Sequence, residues 1–156
     1  SDTDLANSLD GTIGQTYRLI REAMPMLRES DFARIVNISS MYASVSPIPE
    51  IYDATGAPYN PILYGAGKAA IEQMTRYLSV FLASSGITVN AIAPGPFPNS
   101  QKVRNPAFVE RLANRVPMKR VGLPRDLSSA LLFLCGEGSR FVTGQIIHVD
   151  GGWTIA

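Results

Sequence analysis

The sequence contains one cysteine and one histidine, and this scarcity excludes two common kinds of stabilising cross-link. A lone cysteine cannot form a disulfide bond within its own chain, and one cysteine with one histidine cannot supply the four ligands of a structural zinc site. Cys135 lies in the apolar run LLFLCG, which predicts a small buried hydrophobic residue. We therefore expect neither a disulfide framework nor a metal site.

The net charge is also small, and long apolar runs are missing from the sequence. The chain has 14 basic and 13 acidic residues, a net charge of +1, whereas proteins that bind nucleic acid or acidic membranes usually carry a basic excess. No apolar run reaches the roughly 18 residues of a membrane-spanning helix. The polar, acidic start SDTDLANSL does not resemble a signal peptide. These absences predict a cytoplasmic protein without nucleic-acid or membrane partners.

What is present suits one folded domain, since 46% of the 156 residues are hydrophobic and only 17% are charged. Apolar residues spaced three and four apart predict an amphipathic helix over 5–27, which Pro25 should kink or shorten near its end. A second helix is predicted over 64–84, with Gly86 as the residue that stops it. Two more helices are predicted, from Asn105 to about Arg115 and over 124–135.

Three short apolar runs predict buried strands: ARIVNISS (33–40), ITVNAIA (87–93) and QIIHV (145–149). Because strands alternate with helices, we expect an α/β fold with a parallel sheet and right-handed crossovers. Residues 41–63 contain four prolines and no periodicity. Long loops of this kind inside a compact domain are usually functional.

Tyr64 and Lys68 stand out within the predicted helix, in the stretch YGAGK. Positions four apart share a helix face, and an ammonium beside a phenol favours the phenolate and lowers the tyrosine pKa from about 10. Such a tyrosine can exchange a proton with an alcohol or carbonyl oxygen. Gly65 and Gly67 weaken the helix by roughly 1 kcal/mol each, and we interpret them as leaving room for a ligand. The alternative is a chance spacing, which many helices contain.

The sequence around Tyr64 and Lys68 favours a catalytic role for this pair over a chance spacing. One predicted strand ends in Ser39–Ser40 and the next in Pro94–Gly95. In open α/β sheets, ligands bind beyond the carboxyl ends of the strands. The serines, the Pro-Gly turn and the Tyr64 helix should therefore meet at one rim of the sheet.

Four motifs in this order, IVNISS, YGAGK, VNAIAPG and FVTGQIIHVDGG, resemble those of the classical short-chain dehydrogenases/reductases over the whole chain. The resemblance implies a partial Rossmann-type, doubly wound parallel sheet consisting of the last three strands and their helices. It implies NAD or NADP as cofactor and the interconversion of a secondary alcohol and a ketone on a small-molecule substrate. The segments SMY, PGPFP and the proline-rich loop resemble a subgroup that acts on polar, sugar-like substrates.

The resemblance also implies roles for single residues. Tyr64 would be the general acid/base, while Lys68 would lower its pKa and hold the nicotinamide ribose. Ser40, rather than Ser39, would hydrogen-bond the substrate oxygen, with Met41 and Tyr42 as further substrate contacts.

A second group of residues would contact the cofactor. Pro94, Gly95 and Phe97 would lie along the nicotinamide, with the Phe97 amide bonded to the carboxamide. Asn99 stands where the family often has a threonine with the same role.

The sequence departs from the family pattern in three ways. Ser8, next to Asn7, occupies the position of an asparagine that relays protons. Ser40 and Tyr64 are 24 residues apart, so 41–63 resembles an insertion that lines the substrate pocket. The N-terminal half with its glycine-rich turn is absent. We expect residues 1–156 to be the C-terminal part of a single Rossmann domain, in a protein longer by on the order of 90 residues.

The apolar character of helix 64–84 on more than one side predicts self-association. The family pairs this helix and the one before it across two-fold axes. A homodimer or homotetramer through helices 5–27 and 64–84 is therefore expected. Tyr52, Tyr59 and Trp153 could contact substrate, although packing is the commoner role for each.

Two other functions remain as alternatives. A serine hydrolase would need His148 as its base and a G-x-S-x-G elbow, and the sequence around Ser40 has no such elbow. A truncated, non-catalytic relative of the family with a binding or interaction role is the stronger alternative. The retention of Ser40, Tyr64 and Lys68 together argues against it.

Overall fold

The computed structural model describes residues 1–99 and 105–156 and contains a three-stranded, all-parallel sheet in the order β1-β2-β3. The strands are β1 (Arg34–Ile38), β2 (Thr88–Pro94) and β3 (Ile146–Val149). Ile38 is in register with Ile92, and Pro94 with Val149, so all three strands end near one rim. The predicted α/β class with three parallel strands is confirmed.

Six α-helices lie within the described ranges: α1 (Asp2–Leu9), α2 (Gln15–Glu29), α3 (Pro49–Asp53), α4 (Ile62–Leu82), α5 (Pro106–Arg115) and α6 (Pro124–Cys135). Short 3₁₀ turns occupy Met41–Ala43, Ala83–Ser85, Glu137–Ser139 and Trp153–Ile155. Helix α4 contacts β1 and β2, whereas α6 contacts all three strands. None of the helices in the described ranges is long and apolar enough to cross a membrane.

The helix predicted over 5–27 continues without interruption from α1 through a π-helical turn at Asp10–Gly14 into α2. Within this turn the hydroxyl of Thr12 donates to the carbonyl of Ser8 at 2.8 Å. The helix does not end at Pro25 but continues to Glu29. The π-helical turn has no counterpart in the sequence-based prediction.

Local signals at the other helix ends behave as expected. Gly86 has a left-handed φ of 73° directly after the 3₁₀ turn Ala83–Ser85 that follows α4, and this conformation favours glycine. Asn105 caps α5 by accepting from the Phe108 N–H at 3.3 Å, and Pro106 follows at the first helical position.

Two predictions are wrong. Segment 41–63 is not irregular throughout, because it contains the 3₁₀ turn and α3, which buries Ile51 and Tyr52. Cys135 is exposed rather than buried. Leu134 is fully buried, while its neighbours on α6 include exposed Leu132 and Phe133, so hydrophobicity alone overestimates burial in this helix.

Two apolar clusters hold the described residues together. The first joins α2, α4 and the strands through Ile20, Ala33, Ile35, Leu82, Ile87 and Val89. The second joins segment 41–63, α5 and the C-terminal turn through Met41, Ile51, Tyr52, Leu112, Val116 and Trp153. This second cluster fixes the segment beyond the carboxyl ends of the strands, where the candidate site lies.

Candidate active site

The two serines at the end of β1 have different surroundings. The Ser39 N–H continues the sheet by donating to Ile92 at 2.7 Å. Its hydroxyl donates to the buried Glu72 carboxylate at 2.8 Å. The Ser40 oxygen accepts from the Tyr42 N–H at 3.2 Å, which begins the 3₁₀ turn. The Ser39 hydroxyl proton is therefore used within the fold, whereas Ser40 lines a cavity.

This active-site cavity has a volume of about 210 Å³. It is lined by Ser40, Met41, Tyr42, Tyr52, Asn60, Tyr64, Gly95, Pro96, Phe97, Pro98, Phe108 and Leu112. Seven of the residues named in the sequence analysis are thus brought together, from the end of β1 and the 3₁₀ turn after it, α3, the first turn of α4 and the turn after β2. None of the described lining residues is charged.

Lys68 lies beside the cavity, one turn along α4 from Tyr64. Its ammonium nitrogen is 5.8 Å from the centroid of the Tyr64 ring and donates to the Ile38 carbonyl at 2.7 Å. Burial lowers the pKa of Lys68 because a charged ammonium loses hydration there. The end of β1 therefore fixes a positive charge next to the phenol.

The structure gives a different reason from the expected one for glycine at positions 65 and 67, between Tyr64 and Lys68. A Cβ atom on Gly65 would lie 2.7 Å from the Tyr42 carbonyl oxygen, and one on Gly67 would lie 2.2 Å from the Thr12 hydroxyl oxygen. Both glycines allow α4 to approach other parts of the same chain. The interpretation that they make room for a ligand is corrected to close internal packing.

The turn after β2 is shaped by two further close approaches. Gly95 donates to Val149 at 3.0 Å, and a Cβ there would lie 2.5 Å from the Asp150 Cα. The Phe97 ring packs on Gly122, where a Cβ would lie 2.3 Å from its Cζ. Contacts with the following segments therefore hold Gly95 and Phe97 at the cavity.

Three predicted site residues are not brought to the cavity wall. Pro94 ends β2 in register with Val149. Asn99 is exposed, and Ser8 lies on the last turn of α1, where its carbonyl accepts from Thr12. Within residues 1–99 and 105–156, none of the three lines this cavity.

Other wall residues were not singled out in the sequence, or were assigned to packing. The hydroxyls of Tyr42 and Tyr52 hydrogen-bond each other, and Asn60 lines the cavity beside them. Burial, followed by the bond to Tyr52, raises the pKa of Tyr42 far above its ordinary value. Phe108 packs at 5.2 Å from the Tyr52 ring. No local motif marks Tyr52, Asn60 or Phe108, because the fold of segment 41–63 brings them together.

The remaining two aromatic candidates lie outside the cavity. Tyr59 stacks on Tyr52 at 4.8 Å, and its hydroxyl donates to Asp53 at 2.6 Å. That bond raises the pKa of Tyr59 to about 12. Trp153 is buried in the second apolar cluster, with the Arg115 guanidinium 5.4 Å from its ring centroid. Both residues pack, as the commoner role predicts.

Comparison with known proteins places this geometry in a family. A family model described as Enoyl-(Acyl carrier protein) reductase matches residues 1–154. A tropinone reductase homolog of Arabidopsis thaliana is 34% identical over 99% of this chain and 56% of its own length.

Two solved structures share the fold. A short-chain dehydrogenase of Leptospira borgpetersenii with bound NAD+ has a TM-score of 0.87 and 30% identity over 99% of this chain and 58% of its own. A gluconate 5-dehydrogenase of Burkholderia cenocepacia in complex with NADP and tartrate has a TM-score of 0.81 and 27% identity over 100% and 58% of the two chains. The chain spans a little over half the length of these relatives. By sequence and by structure, the chain belongs to the short-chain dehydrogenase/reductase family.

Proposed function

We propose that the protein is an NAD- or NADP-dependent oxidoreductase that interconverts a secondary alcohol and a ketone, with Tyr64 as its general acid/base. The observation that carries this proposal is that Tyr64 and Ser40 line one and the same cavity, with the Lys68 ammonium beside the tyrosine ring. Family membership and relatives with bound NAD+ or NADP support it.

Ser40 is suited to binding the reacting oxygen. Its hydroxyl oxygen already accepts from the Tyr42 N–H, which leaves the hydroxyl proton to donate. A serine hydroxyl offers one donated hydrogen bond. A substrate alcohol or carbonyl oxygen placed between Ser40 and Tyr64 would accept that proton.

Tyr64 would remove the hydroxyl proton of the alcohol during oxidation and return it to the carbonyl oxygen during reduction. Lys68 would stabilise the phenolate through its fixed charge. When bound, the nicotinamide accepts the hydride from the alcohol carbon, or supplies it in the reverse direction.

The chain offers groups that fit this cofactor. An ammonium has three N–H donors, and Lys68 uses one on Ile38, which leaves two for the ribose hydroxyls. Gly95 and Phe97 would lie along the nicotinamide from the turn after β2, with Pro94 and Asn99 flanking them. Ser8 keeps its proposed part in proton relay from α1, which contacts α4.

Substrate preference follows from the wall of the cavity. Its mixture of hydroxyl, amide and aromatic groups supports a small polar substrate of sugar-like character.

The test is Tyr64→Phe in the full-length protein, assayed with both cofactors against a panel of secondary alcohols and ketones. Turnover should fall by on the order of a hundred- to ten-thousandfold, while cofactor affinity measured by fluorescence titration stays within about twofold. Tyr77→Phe is the matched control, because it removes an exposed phenol from the same helix.

Unchanged turnover in Tyr64→Phe would contradict the mechanism. If the wild-type protein turned over nothing in the panel, the non-catalytic alternative would gain support.

A further inference from the structure

Part of the wall of the active-site cavity is formed by two phenols, those of Tyr42 and Tyr52. Tyr42 follows Ser40 by two residues, and Tyr52 comes from α3. Tyr52 is only 4% exposed and is held between Tyr59 at 4.8 Å and Phe108 at 5.2 Å. This packing fixes the position of its hydroxyl, so the bond between the Tyr42 and Tyr52 hydroxyls is a preformed feature of the wall.

A count of protons shows what this pair offers. Two phenolic hydroxyls carry two protons, and only one of them lies in the hydrogen bond between the rings. In the part of the chain that the structure describes, whichever phenol accepts the shared bond keeps one proton for a further acceptor, and both phenols line the cavity.

The phenolic hydroxyl that would donate to a ligand is uncharged, and so are the described residues that line the cavity around it. Burial raises the pKa of Tyr42, which keeps the hydroxyl protonated over the physiological range. The described lining includes no lysine, arginine or histidine, so nothing there compensates the desolvation of a ligand carboxylate.

We propose that the Tyr42–Tyr52 hydroxyl pair, supported by Asn60, binds a second, uncharged oxygen of the substrate. The pair thereby selects small neutral hydroxyketones and polyols over simple ketones and over keto acids. The cavity volume of about 210 Å³ suits a small molecule of this class. The inference rests on the proposed function, since it assigns a substrate to the same site.

Three ketones that differ only in one substituent test the proposal in the full-length protein with NADH and NADPH: acetone, hydroxyacetone and pyruvate. The wild-type protein should reduce hydroxyacetone with a kcat/KM at least tenfold above the values for acetone and pyruvate. A higher value for acetone or pyruvate would overturn the proposal without any variant.

The double variant Tyr42→Phe/Tyr52→Phe removes both hydroxyls and keeps both rings, a paired change that is close to neutral for folding. Its preference for hydroxyacetone over acetone, measured as the ratio of the two kcat/KM values, should fall roughly three- to tenfold, the range of one lost hydrogen bond. Tyr59→Phe is the control, because it loses hydrogen bonds to Asp53 and the Pro49 carbonyl but none to the hydroxyl pair, and its preference should match that of the wild type.

The outcomes separate the two proposals. An unchanged preference in the double variant, or an equal loss for acetone and hydroxyacetone, would overturn the role of the hydroxyl pair and leave the oxidoreductase function intact. A wild-type protein that reduces none of the three ketones but turns over other members of the wider panel would overturn the substrate assignment alone, whereas no turnover in either set would contradict the proposed function.

Discussion

At Gly67, helix α4 passes so close to the π-helical turn that no side chain fits between them. A Cβ at this position would lie 2.2 Å from the Thr12 hydroxyl oxygen and 2.9 Å from the Thr12 Cβ. The second of these atoms is next to the backbone, so a rotation of the threonine side chain cannot relieve the contact. The glycine is required by packing one turn of helix away from Tyr64.

Gly67→Ala should therefore destabilise the full-length protein. Alanine gains about 1 kcal/mol in helix propensity, whereas overpacking a close contact costs about 1–3 kcal/mol. Because the contact is far inside normal separations, we expect a net loss on the order of 1–2 kcal/mol in the free energy of unfolding by urea.

Gly138→Ala is the matched control, because a Cβ at Gly138 has no neighbour within 4 Å. That variant should unfold at nearly the wild-type urea concentration. Unchanged stability in Gly67→Ala with weakened ligand binding would restore the interpretation that this glycine admits a ligand.

At the scale of elements, the start of α6 is fixed by one carboxylate. Asp126 accepts from the Leu123 N–H at 2.8 Å and pairs with Arg120. The Arg120 hydrogen bond, followed by the Leu123 N–H, lowers the pKa of Asp126 from 3.8 to about 2. Since the folded pKa is lowered, the ionised carboxylate stabilises the folded state above pH 3.8, and this contribution is lost as the pH falls towards 2.

Asp126→Asn should lower the melting temperature of the full-length protein at neutral pH. The difference from wild type should shrink as the pH falls from 5 to 3, because the Asp126 carboxyl of the unfolded chain, with its ordinary pKa of 3.8, takes up a proton before that of the folded protein. Scanning calorimetry over this range measures the effect.

Asp31→Asn, which changes an exposed carboxylate in the turn before β1, serves as the control. A difference between Asp126→Asn and wild type that stays constant with pH would show that Asp126 acts only as a neutral cap.

Most elements could be predicted because their signals are local. Gly86 and the Asn105–Pro106 pair mark helix ends through backbone conformation and capping, which depend on a few neighbouring residues. The π-helical turn could not be predicted, since it depends on how α4 packs beside it. The prediction that Cys135 is buried was wrong for a related reason. Whether a residue of α6 is buried depends on which other parts of the protein cover that helix, and the spacing of apolar residues does not contain this information.

The residues of the candidate site also fall into two groups, those that local sequence signals predict and those that only the tertiary structure brings to the cavity. Ser40, Tyr64 and Gly95 could be predicted because they stand at strand and helix ends, which the sheet topology brings to one rim. Tyr52 and Asn60 reach the cavity only through the fold of segment 41–63, whose four prolines give no period to interpret. Of the wall residues that we assign to substrate selection, Tyr52 and Asn60 are therefore the ones whose position depends on tertiary structure.

At the scale of the whole molecule, α4 presents an apolar surface to solvent. Tyr77, Val80 and Phe81 are 58%, 74% and 61% exposed, and the Tyr77 and Phe81 rings stack at 4.5 Å. On α2, Leu19 and Met26 are also largely exposed. Contiguous apolar surface of this kind marks interaction sites, and we propose that these helices pair with a second copy of the chain.

Phe81→Glu should disrupt that pairing, because a buried carboxylate without a partner is costly. Light scattering coupled to size-exclusion chromatography should report a mass about half that of the wild-type assembly. Phe141→Glu is the control, since Phe141 is fully exposed and belongs to neither helix, and its substitution should leave the mass unchanged. Dissociation by Phe141→Glu alone would place the interface elsewhere.

The π-helical turn at Asp10–Gly14 has a consequence for how the sequence can vary in length. A π-helical turn holds one residue more than an α-helical turn. Elsewhere in a helix, losing a residue rotates everything beyond it by about 100° and carries buried side chains to the surface. At Asp10–Gly14, the loss of one residue would convert the turn to α-helix and leave the faces of α1 and α2 in phase. A one-residue deletion in this turn would therefore keep the two halves of the long helix in phase and change only the local contact of Thr12 with α4.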